Sequence, residues 1–97
     1  MSGGVNDGTG RLVQATAGRD KGGIFCVVGV DREGQRLLLA DGRRRKLARP
    51  KAKRPRHVRF LADGFEHPAI QKLKQGEALS DKALRRALAA FRDQLEV

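Results

Sequence analysis

The sequence predicts a mainly β fold, a small five-stranded barrel followed by one or two α-helices. Over the first two thirds of the 97 residues, short apolar segments rich in β-branched residues alternate with turns that contain glycine. The spacing of apolar residues then changes to the three-and-four pattern of a helix. The chain has no Trp or Tyr and only four Phe, so the core is expected to be aliphatic.

The first two strands are predicted at 11–15 and 24–30, on either side of a basic loop at 17–22. The second strand is a nearly continuous apolar run, which is also compatible with a buried helix. Its length, its glycine flanks and its valine content favour a strand. Residues 1–9 are rich in glycine and lack periodicity, so they are expected to form a flexible tail.

Residues 35–40 are predicted as the third strand, after a polar turn. The dipeptide Asp41-Gly42 that follows is typical of a type I′ hairpin, in which both central residues need a positive φ. The chain would then pair back over 43–47 as a fourth strand, whose density of Arg and Lys indicates a sheet edge.

Residues 48–55 contain two prolines, so they are expected to be extended but not part of a central strand. The alternation of apolar residues returns over 57–61, the predicted fifth strand. Strands this short, in meander order, bury enough surface only when the sheet curls on itself. We therefore expect a small SH3-like barrel over 10–62.

The C-terminal segment, 66–97, is predicted to be helical. Pro68 suits the first turn of a helix that Gly76 ends, and Ser80 is a favourable N-cap for a second helix. In the second helix, apolar residues recur at steps of four, three and four: Leu84, Leu88, Phe91 and Leu95. An amphipathic helix usually packs on its own core. A stripe that faces a partner is the alternative.

The net charge of +10 is concentrated in residues 43–59, which we call the strap. The strap carries ten of the 21 Lys and Arg residues and no acidic residue, and the remaining 11 basic residues balance 11 acidic ones. Cations so close together repel each other, so a polyanion is the expected partner. A solvated face or a basic tail is the alternative. Solvated faces mix signs, however, and apolar strands flank the strap on both sides.

Recognition of folded RNA through its phosphates is the expected mode of binding. Reading the DNA major groove usually needs a helix or ribbon that presents side chains to base edges, and neither predicted helix is strongly basic on one face. Only Phe60 and Phe65 are candidates for base stacking, so an aromatic platform is not expected. DNA compaction is a further alternative. The expected RNA-binding residues of the strap are Arg43, Arg44, Arg45, Lys46, Arg49, Lys51, Lys53, Arg54 and Arg56. The candidates in the loop are Gly18, Arg19, Lys21 and Gly22, although their spacing is equally compatible with an ordinary tight turn.

No catalytic site, cofactor, metal site or small-molecule substrate is predicted. His57 and His67 lack the spacing of a metal pair, and one Cys with two His does not make a zinc site. The sequence has neither a phosphate-binding loop that leads into a helix nor a serine nucleophile elbow. Acidic residues beside glycines, Asp20 among them, are expected to make local hydrogen bonds in turns.

The single cysteine, Cys26, cannot form an internal disulfide and lies among apolar residues. It is therefore expected to be a buried, inert thiol, which fits a reducing, cytoplasmic location. No apolar run approaches the roughly 18 residues of a membrane span, and no secretory signal is predicted.

Residues 10–22, GRLVQATAGRDKG, followed by Phe25, Val27 and Val28, resemble the KOW motif. More closely, the chain is similar to bacterial KOW-domain RNA-binding proteins related to a large-subunit ribosomal protein of archaea and eukaryotes. The similarity covers 10–61, and it weakens in the C-terminal third. The similar region includes the segments ADG at 40–42 and RPK at 49–51.

The resemblance implies an SH3-like barrel, binding to structured ribosomal RNA, and association with the ribosome or its assembly. It also implies that Gly18 is the central glycine of the motif and that Arg19 and Lys21 form an RNA-facing tip. Gly23 and the basic block 43–46 depart from the family pattern. The resemblance therefore leaves open whether the protein is a ribosome component or a transient factor.

KOW-like barrels also serve as protein-docking modules in transcription and translation factors. A polymerase or a ribosomal protein is therefore the alternative partner. The RNA interpretation requires that the 17–22 loop and the strap lie on the same face. If they lay on opposite faces, the loop would be only a turn.

Overall fold

The computed structural model describes residues 8–62 and 67–95, which form a five-stranded antiparallel sheet and two helices. The strands are β1 Leu12–Ala15, β2 Ile24–Asp31, β3 Arg36–Ala40, β4 Lys51–Lys53 and β5 Val58–Ala62, in the spatial order β4-β3-β2-β1-β5. A 3-10 turn at Pro55–His57 joins β4 to β5, and the helices are α1 Pro68–Lys74 and α2 Asp81–Leu95. The prediction of a mainly β fold with C-terminal helices is confirmed.

The sheet is curled, because its two edge strands are neighbours in sequence. Strands β4 and β5 lie at opposite ends of the strand order, yet only residues 54–57 separate them. Three of these four residues form a 3-10 turn, which rises about 2 Å per residue. That connection is shorter than the roughly 19 Å between the edges of a flat five-stranded sheet. The edges do not pair with each other in the described part of the chain, so the sheet is not closed.

Each face of the sheet has its own apolar cluster, as the alternation of side chains along a strand requires. The first cluster contains only sheet residues, so it lies on the inside of the curl: Val13, Ala15, Phe25, Val27, Leu37 and Leu39. The second cluster joins the other face to the helices: Leu12, Cys26, Ala40, Ala69, Ile70, Leu84, Ala87, Leu88 and Phe91. The expectation that Cys26 is buried is confirmed.

Helix α2 packs on the protein's own core. Leu84, Leu88 and Phe91 of its apolar stripe are buried in the second cluster, whereas Leu95 is 54% exposed. The hydroxyl of Ser80 accepts a hydrogen bond of 3.1 Å from the N–H of Ala83, which confirms the predicted N-cap. The buried part of the stripe is therefore not available to a partner.

The prediction of a fourth strand at 43–47 is wrong. The carboxylate of Asp41 accepts hydrogen bonds of 2.9 Å from the N–H groups of Arg43 and Arg45. In return, the N–H groups of Asp41 and Gly42 donate to the carbonyl of Arg45, at 3.0 and 3.1 Å. These bonds close a compact loop. Residues 43–47 do not form a strand, because several of the backbone groups that a strand would pair are already used in the loop.

The helix α2 also holds this loop in place. The N–H of Leu47 donates a hydrogen bond of 2.8 Å to the carboxylate of Asp81, in the first turn of α2. The fourth strand forms later, at Lys51–Lys53, inside the segment flanked by prolines. It pairs with β3 and lies at the sheet edge, where the sequence allows a strand beside prolines.

Some sequence predictions lie outside the described residues: positions 1–7 of the N-terminal tail and Phe65. Within the two described ranges, no helix is both long and apolar enough to cross a lipid bilayer.

Candidate nucleic-acid interface

The loop between β1 and β2 is fixed by its own backbone. The N–H of Gly22 donates to the carbonyl of Ala15 at 2.8 Å, and the N–H of Gly23 donates to the carbonyl of Asp20 at 2.9 Å. Gly18 and Gly22 have φ values of +81° and +89°, the left-handed region that favours glycine. The loop therefore needs glycine at these two positions.

Side-chain and backbone bonds also join the loop region to the end of the strap. The side-chain amide of Gln14 donates to the carbonyl of Gly22 at 3.2 Å and accepts a bond of 2.7 Å from the guanidinium of Arg59. The N–H of Thr16 donates to the carbonyl of His57 at 2.8 Å. Together these contacts set the position of the loop relative to β5 and the 3-10 turn.

An ion pair joins the loop to the beginning of the strap. Nη2 of Arg45 lies 2.9 Å from Oδ2 of Asp20, and the two side chains are 31% and 6% exposed. The prediction that Asp20 makes local hydrogen bonds in its turn is wrong for its side chain, since the carboxylate binds Arg45 from the strap.

Strand β4 contributes two further cations, Lys51 and Lys53, beside the loop between β1 and β2. Lys53 lies opposite Leu37 and Lys51 opposite Leu39, so the two lysines project from the face of the sheet that carries the first cluster. Lys51 is exposed, but Lys53 is only 9% exposed. Nζ of Lys53 lies 3.3 Å from the position that a Cβ atom would take at Gly18. The loop and β4 therefore meet at close range.

Between them lies an open cavity of about 380 Å³, which we call the basic groove. Among the described residues, one carboxylate lines it, that of Asp20, which is already paired with Arg45. His57 lies at the same cavity. Six Lys and Arg residues line it: Arg19, Arg36, Arg45, Lys51, Lys53 and Arg54. The groove is therefore a surface of strongly positive potential.

The predicted binding residues divide into two sets. Six of them line the basic groove: Gly18, Arg19, Arg45, Lys51, Lys53 and Arg54. The others are exposed and lie outside its lining: Lys21, Gly22, Arg43, Arg44, Lys46, Arg49 and Arg56. The loop and the strap thus meet on one face, which is the condition that the RNA interpretation requires.

Sequence reasoning missed three residues of the groove: Arg36, His57 and Asp20. Arg36 and His57 reach it through the pairing of β3 with β4 and through the 3-10 turn, and neither is visible in local sequence. The signal for Asp20 was present, as a single acid between two cations in a basic loop.

Phe60 is the one stacking candidate that lies within the described residues. Its ring is 47% exposed, and the guanidinium of Arg11 lies 5.1 Å from the ring centroid. This distance is within the range of a cation–π contact. Arg11 therefore occupies one face of the ring.

No protein-family model and no curated protein matches this chain. The resemblance to KOW proteins therefore stays a prediction, and the geometry of the basic groove is the basis for a proposed function.

Proposed function

We propose that this protein is a non-catalytic RNA-binding protein that docks on structured ribosomal RNA through the basic groove and the adjoining strap. The observation that carries the proposal is the convergence of six cations on one open groove. They come from the loop, from β3 and from the strap, and the carboxylate beside them is already paired. Such a surface gains free energy by releasing the counterions of a polyanion.

The shape of the groove favours a phosphate backbone over an enclosed small molecule. It is open, and its lining is dominated by Lys and Arg, with no aromatic ring other than that of His57 among the described residues. Arg binds phosphate oxygens in pairs, and Lys binds them as a compact charge. Recognition would therefore depend on the path of the backbone in a folded RNA more than on base identity.

As part of the same proposal, the curled sheet is an SH3-like barrel of the KOW type. Three features support it: the pairing of β1 with β5, the 3-10 turn between β4 and β5, and a core made of sheet residues alone. Association with the ribosome or its assembly, and additional contacts with ribosomal proteins, rest on the sequence resemblance.

A salt titration with purified bacterial ribosomal RNA tests the proposal. If the protein neutralises about six phosphates, the logarithm of affinity falls against the logarithm of salt concentration with a slope of about −4 to −5. Duplex DNA competing at fixed salt is expected to bind more weakly. A flat salt response, or stronger binding to duplex DNA, would contradict RNA binding through the groove.

Two matched triple variants locate the binding surface. One replaces Arg36, Lys51 and Arg54 in the groove by Ser, and the other replaces Arg43, Arg44 and Lys46 outside it. Each removes three positive charges. Arg45 is left in place in both, because its loss would leave the buried carboxylate of Asp20 unpaired. The groove variant is expected to lose about tenfold more affinity than its control, a difference of about 1.4 kcal/mol. Equal losses would mean that the groove has no special role.

Nuclease treatment separates RNA binding from protein docking. We expect co-sedimentation with ribosomes to be lost after nuclease. Association that survives the treatment would favour the docking module instead. A protein partner would then have to use another surface, because Leu84, Leu88 and Phe91 are buried in the protein's own core.

A further inference from the structure

Lys53 and Arg45 both line the basic groove, and each has a nitrogen without an acceptor among the described residues. Lys53 is 9% exposed, and its ammonium makes no hydrogen bond or ion pair within those ranges. Nε of Arg45 is buried and also lacks a partner there, although Nη2 of the same guanidinium donates to Asp20. Both side chains line the same cavity.

Buried charges in proteins are normally paired, and buried donors normally find an acceptor. Lys53 is unusual because it lies opposite Leu37 on the face of the sheet that carries the first cluster, where an apolar side chain would suit the packing. Because this ammonium makes no ion pair among the described residues, it can bind an anion without breaking an existing contact. The position therefore indicates a ligand with negative charge.

We propose that the basic groove contains a discrete site for one phosphate group, held between the ammonium of Lys53 and the guanidinium of Arg45. The proposal rests on the RNA-binding function, and the phosphate is one of the RNA backbone. It adds that a single phosphate is fixed in a defined position, whereas the exposed cations of the strap act as a diffuse charge.

The surroundings of the two donors are built for such a site. The ion pair with Asp20 fixes the guanidinium of Arg45, so its remaining N–H groups are positioned before the ligand arrives. A Cβ atom at Gly18 would lie 3.3 Å from Nζ of Lys53, a tight contact, so glycine lets the loop backbone approach the ammonium closely. Lys51 and Arg54 line the same groove and are exposed, so they can neutralise the neighbouring phosphates of the same strand.

Thermal melting of the protein without RNA tests the site, with inorganic phosphate as the probe. Low millimolar phosphate is expected to raise the melting temperature of the wild type above its value in chloride at equal ionic strength. Lys53→Met should abolish this rise, and Lys51→Met should retain it. The two variants are matched, since both remove one lysine from β4 and only Lys53 is buried. Lys53→Gln provides a second test should the methionine variant fail to fold.

The affinity of the same variants for ribosomal RNA is the second measurement. Lys53→Met is expected to weaken binding about tenfold, and Lys51→Met only about twofold, although the change in net charge is the same. If RNA binds the wild type but phosphate does not stabilise it, and the two variants bind RNA equally, the discrete site is wrong and the proposed function stands. If phosphate stabilises the wild type through Lys53 but RNA does not bind, the site stands and the proposed function is wrong. The phosphate would then belong to a small molecule.

Discussion

Asp20 and Arg45 form the ion pair that joins the 17–22 loop to the strap, with 2.9 Å between Oδ2 and Nη2. The two residues are 25 positions apart in the sequence. Because the carboxylate is bound to a cation of the strap, it does not repel a polyanion as a free acid in the groove would. Asp20 therefore holds the guanidinium of Arg45 in the basic groove without adding an unpaired negative charge there.

Replacing Asp20 by Asn is expected to lower the free energy of unfolding by about 1–3 kcal/mol. Asn keeps the shape of the side chain and one acceptor, but it leaves the partly buried guanidinium of Arg45 without its counter-charge. Partial exposure of Arg45 allows solvent to screen the pair, which keeps the effect below that of a fully buried one. Urea denaturation measures the change.

Asp93→Asn is the matched control, since Asp93 is exposed on α2 and has no ion pair among the described residues. It is expected to change the free energy of unfolding by less than about 0.5 kcal/mol. If both substitutions have the same small effect, the ion pair does not hold the loop against the strap.

Gly42→Ala is expected to destabilise the protein by more than about 2 kcal/mol. Gly42 has a φ of +78°, and a Cβ atom there would overlap the carbonyl oxygen of Asp81 at the start of α2. The carbonyl of Gly42 also accepts a hydrogen bond of 2.8 Å from the guanidinium of Arg85. The substitution would therefore push helix α2 away from the loop, which thermal or urea unfolding would detect.

Gly76→Ala separates backbone strain from this overlap. Gly76 has a similar φ of +80°, but no atom lies within 4 Å of the position of its Cβ. Its replacement should cost only the left-handed strain, about 1 kcal/mol. Equal losses at positions 42 and 76 would show that the contact between Gly42 and α2 has no effect on stability.

The thiol of Cys26 is expected to be unreactive towards Ellman's reagent at pH 8 until the protein unfolds. Burial raises its pKa from 9.0 to about 12. The folded state therefore holds a proton that the unfolded state releases above pH 9, so this contribution to stability is complete below pH 9 and is lost between pH 9 and 12. The loss amounts to about 1.4 kcal/mol per pH unit. The free energy of unfolding of Cys26→Ala should lack this component, and parallel curves for the two proteins from pH 9 to 11 would contradict the assignment.

Local sequence was sufficient for most of the fold. Four predicted strands agree with β1, β2, β3 and β5 to within one or two residues, because apolar alternation and glycine turns are local signals. The strand at 43–47 failed because the Asp41-Gly42 turn is decided by tertiary contacts. Gly42 lies against the first turn of α2, about 40 residues later in the chain. A contact over such a distance in sequence cannot be predicted from a local pattern.

The cations of the candidate site could be predicted, but their arrangement could not. The concentration of charge in the strap is visible in the sequence, and it brought into consideration Arg45, Lys53 and Arg54, which line the groove. Which of the cations line one groove depends on where β4 begins and how it pairs with β3. That register places Arg36 at the groove, whereas Arg43 lies in the loop closed by Asp41 and Arg45 and stays outside it.

Arg36 gives the sharpest test of that register. If RNA follows the basic groove, Arg36→Gln removes one phosphate contact, so it should weaken binding to ribosomal RNA about five- to tenfold and reduce the salt slope by about 1. Arg32→Gln is the matched control, because Arg32 is exposed in the turn between β2 and β3 and lies outside the groove lining. It should bind within about twofold of the wild type. Equal losses for the two variants would show that binding follows net charge alone, and that the pairing of β3 with β4 does not place Arg36 at the RNA.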